Sequence, residues 1–489
     1  MIHISKYNDS YAFIKCDLDQ AYNISEVFSF YAENYYWNPK YKAGVWDGKI
    51  RLFNTHTGLF PIGLISKLQK YLRINQIEYT IDPDVNEKGI KISTKKLYQF
   101  NDNIIKFKYD LYDYQAKAVQ IALYKKRAII ESATGSGKSY MAFYIFNLLR
   151  HINKDFKFLL IVPTVALVEQ MSGDFQEYAE NWCEYDQFIH KIYSGKEKTT
   201  DKPITISTWQ SLQNFPKSHF VDYDCVICDE GHTAKAAEIQ NIMTNCINAQ
   251  FKIAVSGTIQ NETVDKMQLE GLFGPIHKVS SSVELQKRGI LSKLKIFGIV
   301  LRYNEEIRKQ CKKMTWREEI NFINEQPSKA KVIMKLIKPE HKNNLILFKS
   351  IDYGKRLYKA IKKYLPEKRV YYVDGSVKAE TREKIRGLAE KYDNVVIVAS
   401  YGTFSTGVNI KNLHNIIFAE SSKSMIKILQ SIGRVLRLHE TKDYATLYDI
   451  CDDLSWKSRK NYVLRHFFQR IEIYEKENFK YSIKEILLK

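Results

Sequence analysis

Short apolar runs alternate with segments of helical pattern along most of this chain, and the alternation occurs twice. Continuous apolar strands joined by helical crossovers build parallel sheets that are covered on both faces. The sequence therefore predicts an α/β fold with two tandem parallel-sheet domains, residues 106–290 and 291–455. The apolar runs lie at Ala128–Ile130, Phe158–Val162, Ile204–Ser207, Cys225–Cys228 and Lys252–Val255, and then at Leu345–Phe348, Val370–Val373, Val395–Ala399, Ile416–Ala419 and Ala445–Tyr448.

The two ends of the chain have a different character. Residues 1–105 contain short mixed segments that are broken by the turn signals Asn38-Pro39, Asp47-Gly48 and Asp82-Pro83. They predict a small α+β domain. Residues 456–489 are rich in lysine and arginine and predict a short, basic helical tail.

The net charge of the chain indicates which classes of binding partner it favours. The chain has 75 lysines and arginines against 55 acidic residues, a net charge of +20. Such an excess favours polyanions, with nucleic acid first and an anionic membrane surface second. There is no apolar run of about 18 residues and no signal-peptide pattern, so the sequence predicts a cytoplasmic protein, in the host cytoplasm if the chain is viral.

The seven cysteines are scattered. Cys225 and Cys228 have the spacing of a zinc ligand pair, but they lie within an apolar run and no second pair follows. Buried free thiols in a reducing compartment are the favoured interpretation.

A loop rich in small residues, Ser132–Ser139, lies between an apolar run and a helical segment. This context is typical of a loop that holds phosphate groups through backbone N–H donors at a helix N-terminus. Lys138 is predicted to reach the β- and γ-phosphates of ATP, and Ser139 to bind Mg²⁺. Ser132 stands where the motif usually has its first glycine. The residues predicted to contact the nucleotide in this loop are Thr134, Gly135, Ser136, Gly137, Lys138 and Ser139.

Two acidic residues, Asp229 and Glu230, directly follow the run Cys225–Cys228. Acids at the carboxyl end of a parallel strand face the ligand crevice. Asp229 is predicted to hold Mg²⁺, and Glu230 to orient and deprotonate the attacking water. Such a pair taken alone is often only solvated, but its position after a phosphate loop favours hydrolysis.

Two arginines, Arg434 and Arg437, lie three residues apart in the second domain and share one face of a helix. Guanidinium groups placed in this way can stabilise charge on a transferring phosphoryl group. A basic surface helix is the alternative when these residues are considered alone.

The order of these motifs resembles that of superfamily-two helicases of the Asp-Glu-x-His type. The resemblance covers residues 110–450 and implies two RecA-like domains, ATP hydrolysis and an adenine contact by Gln115, although Tyr112 stands where the family often has arginine. The matching blocks are Tyr114-Gln115, Ser132–Ser139, Val162–Thr164, Thr208–Gln210, Asp229–His232, Ser256–Thr258, Leu347–Lys349, Ser405–Asn409 and Gln430–Arg437.

The N-terminal domain adds a narrower resemblance. Trp37–Pro39, Gly44–Arg51 and Ile81–Pro83 are similar to the N-terminal domain of the UvsW helicases of tailed bacteriophages. That resemblance implies an ATP-dependent DNA helicase that unwinds and branch-migrates forks, D-loops and four-way junctions in recombination, replication and repair. It also leads us to expect a monomer, with replication and recombination proteins as partners.

Candidate nucleic-acid contacts follow from the helicase motifs and from the basic, aromatic N-terminal domain. Trp209 and the N-terminal aromatics have core packing as their alternative, and residues 302–325 are interpreted as a charged, helical, solvated insertion. The candidates are Pro163, Thr164, Thr208, Trp209 and Gln210 in the first domain, Phe348, Lys349, Ser400, Thr406 and Gly407 in the second, and Lys40, Lys42, Lys49 and Arg51 at the N-terminus.

Three alternatives stay open on the sequence. The motor motifs do not separate a DNA helicase from an RNA helicase. They also fit a double-stranded DNA translocase that does not unwind its track, although no nuclease motif accompanies them. A DNA-binding protein with an inactive ATPase is disfavoured because Lys138, Asp229, Glu230, Arg434 and Arg437 are all present.

Overall fold

The computed structural model describes residues 1–32, 34–101, 107–179, 185–193, 200–230, 236–257, 263–339, 341–405, 410, 412–420, 432–433 and 444–488. The chain divides into two compact units, Met1–Ser132 with Gly137–Val279, and Ala133–Ser136 with Ser280–Lys489. Among the helices of the described ranges, none is long and apolar enough to cross a bilayer.

A four-stranded sheet forms the core of the N-terminal region. It is built from β1 (Ile2–Lys6), β2 (Tyr11–Lys15), β5 (Leu59–Pro61) and β6 (Tyr79–Ile81) in the order β5-β2-β1-β6. Strand β2 pairs antiparallel with β1 and β5, while β6 lies parallel to β1. A separate hairpin joins β3 (Ser29–Tyr31) to β4 (Lys49–Arg51). The helices are α1 (Leu18–Val27), α2 (Pro39–Lys42), α3 (Ile65–Ile74) and α4 (Thr94–Gln99).

This N-terminal region has its own apolar core, which Ile4, Phe28, Phe60 and Leu68 help to fill. Helices and a largely antiparallel sheet around one core make an α+β arrangement, as the sequence predicts.

The first unit also contains a seven-stranded sheet in which all neighbouring strands are parallel, in the order β13-β7-β12-β11-β8-β10-β9. The five inner strands match the apolar runs of the sequence. The strands are β7 (Arg127–Glu131), β8 (Phe158–Val162), β9 (Ile189–Ile192), β10 (Ile204–Thr208), β11 (Cys225–Asp229), β12 (Phe251–Ser256) and β13 (Ile276–Lys278).

The two outer strands of this sheet, β9 and β13, were not predicted. Each contains histidine and lysine, and each is only partly buried. An edge strand has a neighbour on one side only and does not need a continuous apolar run. Periodicity alone therefore cannot detect it.

Helices cover this sheet, and their packing encloses a core that includes Leu159, Val226, Ile242 and Phe273. Side-chain caps fix where two of the helices begin, since the hydroxyls of Thr164 and Thr208 accept backbone N–H groups of the first turn. The helices are α5 (Asp113–Lys125), α6 (Lys138–Ile152), α7 (Val165–Tyr178), α8 (Trp209–Leu212), α9 (Ala236–Asn245) and α10 (Thr263–Phe273).

The second unit contains another seven-stranded parallel sheet, in the order β16-β17-β15-β18-β19-β14-β20. Two parallel sheets in tandem confirm the predicted fold class. The strands are β14 (Lys293–Arg302), β15 (Asn344–Phe348), β16 (Arg369–Val373), β17 (Val395–Ser400), β18 (Asn415–Phe418), β19 (Tyr444–Asp453) and β20 (Tyr481–Leu487).

The helices of the second unit include two in the charged segment at 302–325, which confirms its predicted helical character. They are α11 (Ser282–Lys287), α12 (Glu305–Gln310), α13 (Trp316–Glu325), α14 (Pro327–Ile337), α15 (Ile351–Tyr364), α16 (Ala379–Lys391), α17 (Tyr401–Ser405) and α18 (Tyr462–Lys476).

The C-terminal tail differs from the sequence prediction. Residues 462–476 form the expected helix, but residues 481–487 form strand β20, which pairs in parallel with β14. Most side chains of β20 are exposed, so its charged composition gave no strand signal.

Helix α18 is attached to β19 by buried charges. Arg470 donates to both carboxylate oxygens of Asp449, at 2.8 and 2.7 Å, and the Tyr474 hydroxyl donates to the same carboxylate at 2.9 Å.

The N-terminal region packs against the first parallel sheet within the same unit. Lys67 forms an ion pair with Glu270, and Arg127 pairs with Asp9 at 3.3 Å. Lys252, on β12, is buried and donates to Ser10 Oγ at 2.5 Å and to the Met243 carbonyl at 3.0 Å. Burial, assisted by the nearby charge of Arg127, lowers the pKa of the Lys252 ammonium to about 7.

This buried lysine predicts a pH dependence of stability that Lys252→Met should remove. Between the folded pKa of about 7 and the unfolded pKa of about 10.4, the unfolded chain binds the extra proton. The stability of the wild type should therefore rise with pH across this window, by up to about 1.4 kcal/mol per pH unit from this group. We expect urea unfolding midpoints of Lys252→Met to rise less between pH 7 and pH 9. The control is Lys154→Met at an exposed position, and an equal rise in wild type and Lys252→Met would contradict the prediction.

Candidate active site

The small-residue loop connects the end of β7 to the start of α6. Gly135 and Gly137 adopt φ angles of +85° and +79°, which side chains other than glycine rarely accept. The buried Ser132 is not among the residues with positive φ, and its N–H donates to the Ser256 carbonyl at 2.9 Å. The first position of the loop thus does not require glycine, which explains the departure from the usual motif.

Opposite this loop, the ends of β11 and β12 bring three polar side chains together. The Lys138 ammonium lies 3.3 Å from Glu230 Oε1, and the Ser256 hydroxyl donates to Glu230 Oε2 at 3.2 Å. Glu230 has a φ angle of +50°, which is uncommon for a residue with a long side chain and is typical of functional sites. The structure thus brings together Lys138 and Glu230, two residues predicted to act on ATP, with Ser256 of the block Ser256–Thr258.

Asp229 is the last residue of β11 and is buried. Its Oδ1 atom has no hydrogen-bond partner among the residues that the structure describes. Burial and the adjacent Glu230 carboxylate raise the pKa of Asp229, and the charge of Lys138 offsets part of this rise. A buried carboxylate oxygen without a donor fits a divalent cation, for which oxygen ligands are preferred.

Gln115 lies beside the same loop. Its side-chain oxygen accepts from the Tyr112 N–H at 2.9 Å, and a Cβ added to Gly137 would approach its amide nitrogen to 2.5 Å. The Tyr112 ring stacks on Tyr114, with ring centroids 5.7 Å apart, and is half exposed. An exposed aromatic face next to Gln115 therefore replaces the arginine that the family often has here.

Ser139 is in the first turn of α6, and its hydroxyl lies 2.7 Å from the hydroxyl of Tyr178. A metal contact by Ser139 requires this hydroxyl to exchange Tyr178 for the cation. Sequence reasoning did not find Tyr178, because no motif links the end of α7 to the loop. Ser256 lies in the block Ser256–Thr258 that resembles a helicase motif, but the sequence assigned it no contact.

The predicted nucleic-acid contacts of the first unit lie at the ends of β8 and β10, which are parallel neighbours. Gln210 is exposed and donates to the Pro163 carbonyl at 3.3 Å. Thr208 is buried and its hydroxyl caps α8, while Trp209 packs against the apolar core. Core packing is thus the better interpretation of Trp209, whereas Gln210 is exposed and Pro163 and Thr164 are half-buried.

In the second unit, Phe348 is fully buried, so its side chain offers no surface to the nucleic acid predicted to bind at this position. The strand β15 is covered on both faces, so its last residue points into the core. Lys349 is exposed, while Ser400 is half-buried and bonds to Thr403 through their hydroxyls at 2.8 Å. Four other predicted site residues lie outside the described residues: Thr406, Gly407, Arg434 and Arg437.

The basic residues of the N-terminal domain fall into two groups. Lys40 and Lys42 are exposed, and the Lys42 ammonium lies 5.0 Å from the ring centroid of Trp37, which is 67% exposed. Lys49 and Arg51 instead form ion pairs at 2.6 Å with Glu26, and Arg51 also pairs with Asp47.

The aromatic side chains of this domain also fall into two groups, one buried and one exposed. Phe53 is in the core, as the alternative interpretation had it, whereas Trp37 is on the surface with Tyr36 and Tyr41. Tyr36, Trp37 and Tyr41 are thus neighbouring exposed aromatics, and an exposed apolar patch is a candidate binding surface.

A buried carboxylate destabilises the fold when it is ionised. We therefore expect Asp229→Asn to stabilise the protein. The pKa of Asp229 is higher in the folded chain than in the unfolded chain. Once the pH rises above the pKa of the unfolded chain, ionisation of Asp229 therefore lowers the free energy of unfolding. We expect the unfolding temperature of Asp229→Asn, measured without nucleotide or metal, to exceed that of the wild type at pH 8. The difference should shrink towards pH 5. Asp155→Asn, at an exposed position, is the control, and an unchanged or lower unfolding temperature at pH 8 would contradict the prediction.

Comparison with protein families gives three matches along the chain. They are the DNA helicase UvsW N-terminal family at residues 2–84, the type III restriction enzyme res subunit family at 108–261, and the helicase conserved C-terminal domain at 328–439. The matches have the same order as the N-terminal region and the two parallel sheets.

Individual relatives agree with these families. The ATP-dependent DNA helicase uvsW of Enterobacteria phage T4 is 34% identical, and the alignment covers 100% of both chains. The crystal structure of T4 UvsW aligns over 99% of both chains at 33% identity, with a TM-score of 0.53. The DEAD-box helicase Mss116 bound to single-stranded RNA shares only the fold, with 12% identity, a TM-score of 0.59 and 82% of each chain covered. The chain therefore belongs to the UvsW family of superfamily-two helicases.

Proposed function

We propose that this protein uses ATP hydrolysis to unwind and branch-migrate branched DNA such as forks, D-loops and four-way junctions. The observation that carries the proposal is the meeting of Lys138, Glu230 and the buried Asp229 beside a glycine loop. The full-length similarity to a phage protein named as an ATP-dependent DNA helicase supports the DNA substrate.

The contacts within the site suggest how its residues act on ATP. Lys138 is paired with Glu230 in the structure. Bound phosphates compete for the ammonium of Lys138, and the N–H groups at the start of α6 favour their negative charge. Release of Glu230 from Lys138 leaves its carboxylate, still held by Ser256, to orient water and accept its proton.

The divalent cation that such a reaction uses has a suitable pair of ligands. Asp229 and Ser139 would hold Mg²⁺, which would supply positive charge to the phosphate oxygens. The unpartnered Oδ1 of Asp229, in the described part of the chain, is the observation that favours this assignment. Gln115, next to Gly137, is proposed to contact the adenine.

DNA contacts are proposed at two surfaces of the first unit. Thr164 and Gln210, at the ends of neighbouring strands, offer polar groups to a phosphate backbone. In the N-terminal domain, Lys40 and Lys42 offer charge next to the exposed Trp37 ring.

The roles predicted for Arg434, Arg437, Thr406 and Gly407 stay predictions. So do the monomeric state, the cytoplasmic location and the association with replication and recombination proteins.

The alternative functions differ in the nucleic acid on which the protein would act. An RNA helicase would act on RNA duplexes, and a translocase would move along duplex DNA without separating its strands. The fold does not decide between RNA and DNA, because a likeness to an RNA-bound structure at 12% identity extends to the fold alone. The match of residues 2–84 to the N-terminal family of a DNA helicase is what favours DNA.

Stimulation of ATP hydrolysis by a panel of nucleic acids tests the proposed function. Forked and four-way DNA should stimulate the wild type several-fold more than RNA duplexes at equal nucleotide concentration. Stimulation by RNA alone would make the protein an RNA helicase. Displacement of a triplex strand without separation of a duplex would make it a translocase.

Two variants serve as controls in this experiment. Lys138→Ala should lose hydrolysis on every member of the panel, since the phosphates lose their ammonium partner. Glu230→Gln should bind ATP and hydrolyse it very slowly. Wild-type turnover by purified Glu230→Gln would remove Glu230 from its assigned role.

The N-terminal charges give a separate prediction. Lys40→Glu with Lys42→Glu should weaken binding to a four-way junction, because both lysines are exposed and lie beside Trp37. The slope of log K against log salt should fall by up to about 2, since each lost phosphate contact contributes about 0.9. Binding is measured by fluorescence anisotropy at several salt concentrations.

The control is Lys95→Glu with Lys96→Glu, an exposed pair on α4. An equal loss in both double variants would mean that the effect is one of net charge and not of this surface.

A further inference from the structure

The charged segment that contains α12 and α13 is firmly attached to the second unit. The buried carboxylate of Glu319 on α13 accepts from the backbone N–H groups of Tyr462 and Val463 at 3.0 and 2.8 Å, at the start of α18. At the other end of α13, Asn324 donates to Glu420 at 2.9 Å. A solvated insertion would not need such buried contacts, so the position of this segment is determined by the fold.

Glu420 extends this attachment to the turn after β15. Its second oxygen accepts from the N–H groups of Lys349 and Ser350, each at 2.7 Å. The contact fixes the backbone of the turn that carries the Lys349 side chain. Because Asn324 binds the other oxygen of Glu420, α13 and this turn are held next to each other.

The result of this geometry is an indole beside an ammonium group on the surface. Trp316 is the first residue of α13 and is 37% exposed. Thr315 and Glu318 form a capping box around it, which fixes the start of the helix. The Lys349 ammonium lies 4.9 Å from the centroid of the Trp316 ring.

Exposed cations outnumber exposed acids around Trp316. Lys312, Lys313, Arg317 and Lys349 are exposed, and none forms an ion pair within the described parts of the chain. The two acids in the first turn of α13 have contacts of their own, Glu318 in the capping box and Glu319 with the start of α18. This differs from the N-terminal hairpin, where Lys49 and Arg51 are paired with acids.

We propose that Trp316 and Lys349 form a binding site for single-stranded DNA in the second unit. An unpaired base stacks on the indole, and the flanking phosphates contact Lys349 and the neighbouring cations. Stacking on an aromatic ring with cations along the backbone is the usual mode of binding to single strands. A duplex does not expose its base faces in this way. The inference rests on the proposed DNA substrate and adds a site to it.

Binding of a fluorescent oligodeoxythymidine without nucleotide, followed by anisotropy at several salt concentrations, tests the site. Trp316→Leu should weaken binding about 5- to 100-fold, the range expected for one lost stacking contact, with the salt slope unchanged. Lys349→Ala should lower the slope by about 0.7, the value for one phosphate on a single strand. Trp316→Phe should restore most of the affinity that Trp316→Leu loses.

The matched controls are Tyr364→Leu and Lys363→Ala. Lys363 lies 5.3 Å from the Tyr364 ring, and Tyr364 is 63% exposed, so this is also a surface lysine–aromatic pair. It is at the far end of α15, about 20 Å from Lys349 at 1.5 Å per residue. Both control variants should bind like the wild type.

Two results would overturn the site. One is binding within twofold of the wild type by both Trp316→Leu and Lys349→Ala, and the other is an equal loss in the controls. If Trp316→Leu does not fold, as judged by its unfolding temperature, Trp316→Phe and the salt slope of Lys349→Ala decide. Wild-type ATP hydrolysis on the DNA panel is scored separately. DNA stimulation with unaffected variants would reject only this site, whereas absence of stimulation would reject the proposed function.

Discussion

The parallel register of β7, β12 and β11 is the constraint on which the candidate site depends. Glu131 is opposite Ser256 and Asp229 is opposite Val255, so three neighbouring strands end at one edge of the sheet. The chain leaves β7 through the glycine loop and enters α6 at Lys138. Residues that are far apart in sequence therefore meet without any long connection, as is usual at the carboxyl edge of such sheets.

The negative charge of the carboxylates at this edge of the sheet is not fully compensated by positive side chains in the described part of the chain. Lys138 offsets Glu230 at 3.3 Å, while the buried Asp229 adds a second carboxylate with an unpartnered oxygen in the described chain. A protein optimised only for stability would neutralise or remove such a group. Its presence is consistent with a site that gains its remaining positive charge from a ligand, at a cost in stability.

The sequence predicts those features that local patterns determine. The fully buried strands β8 and β11 appear as apolar runs, and the glycine loop as a motif with the correct neighbours. Edge strands β9 and β20 were missed, because partial exposure removes the apolar signal. Side-chain roles that depend on tertiary packing were also missed. Both Thr208 and Phe348 are in motifs, but burial decides what they can touch, and no local pattern distinguishes the exposed Trp37 from the buried Phe53.

The position of β14 has a consequence for the synthesis of the chain. This strand lies between β19 and β20, which follow it only after the other strands of its sheet. The first unit has all its described strands once β13 has left the ribosome, whereas β14 gains its two neighbours only after β19 and β20 have been synthesised. Contacts between distant residues form slowly, and domains generally fold in the order of synthesis. The first unit is thus expected to fold first, while both edges of β14 stay unpaired until β19 and β20 have left the ribosome.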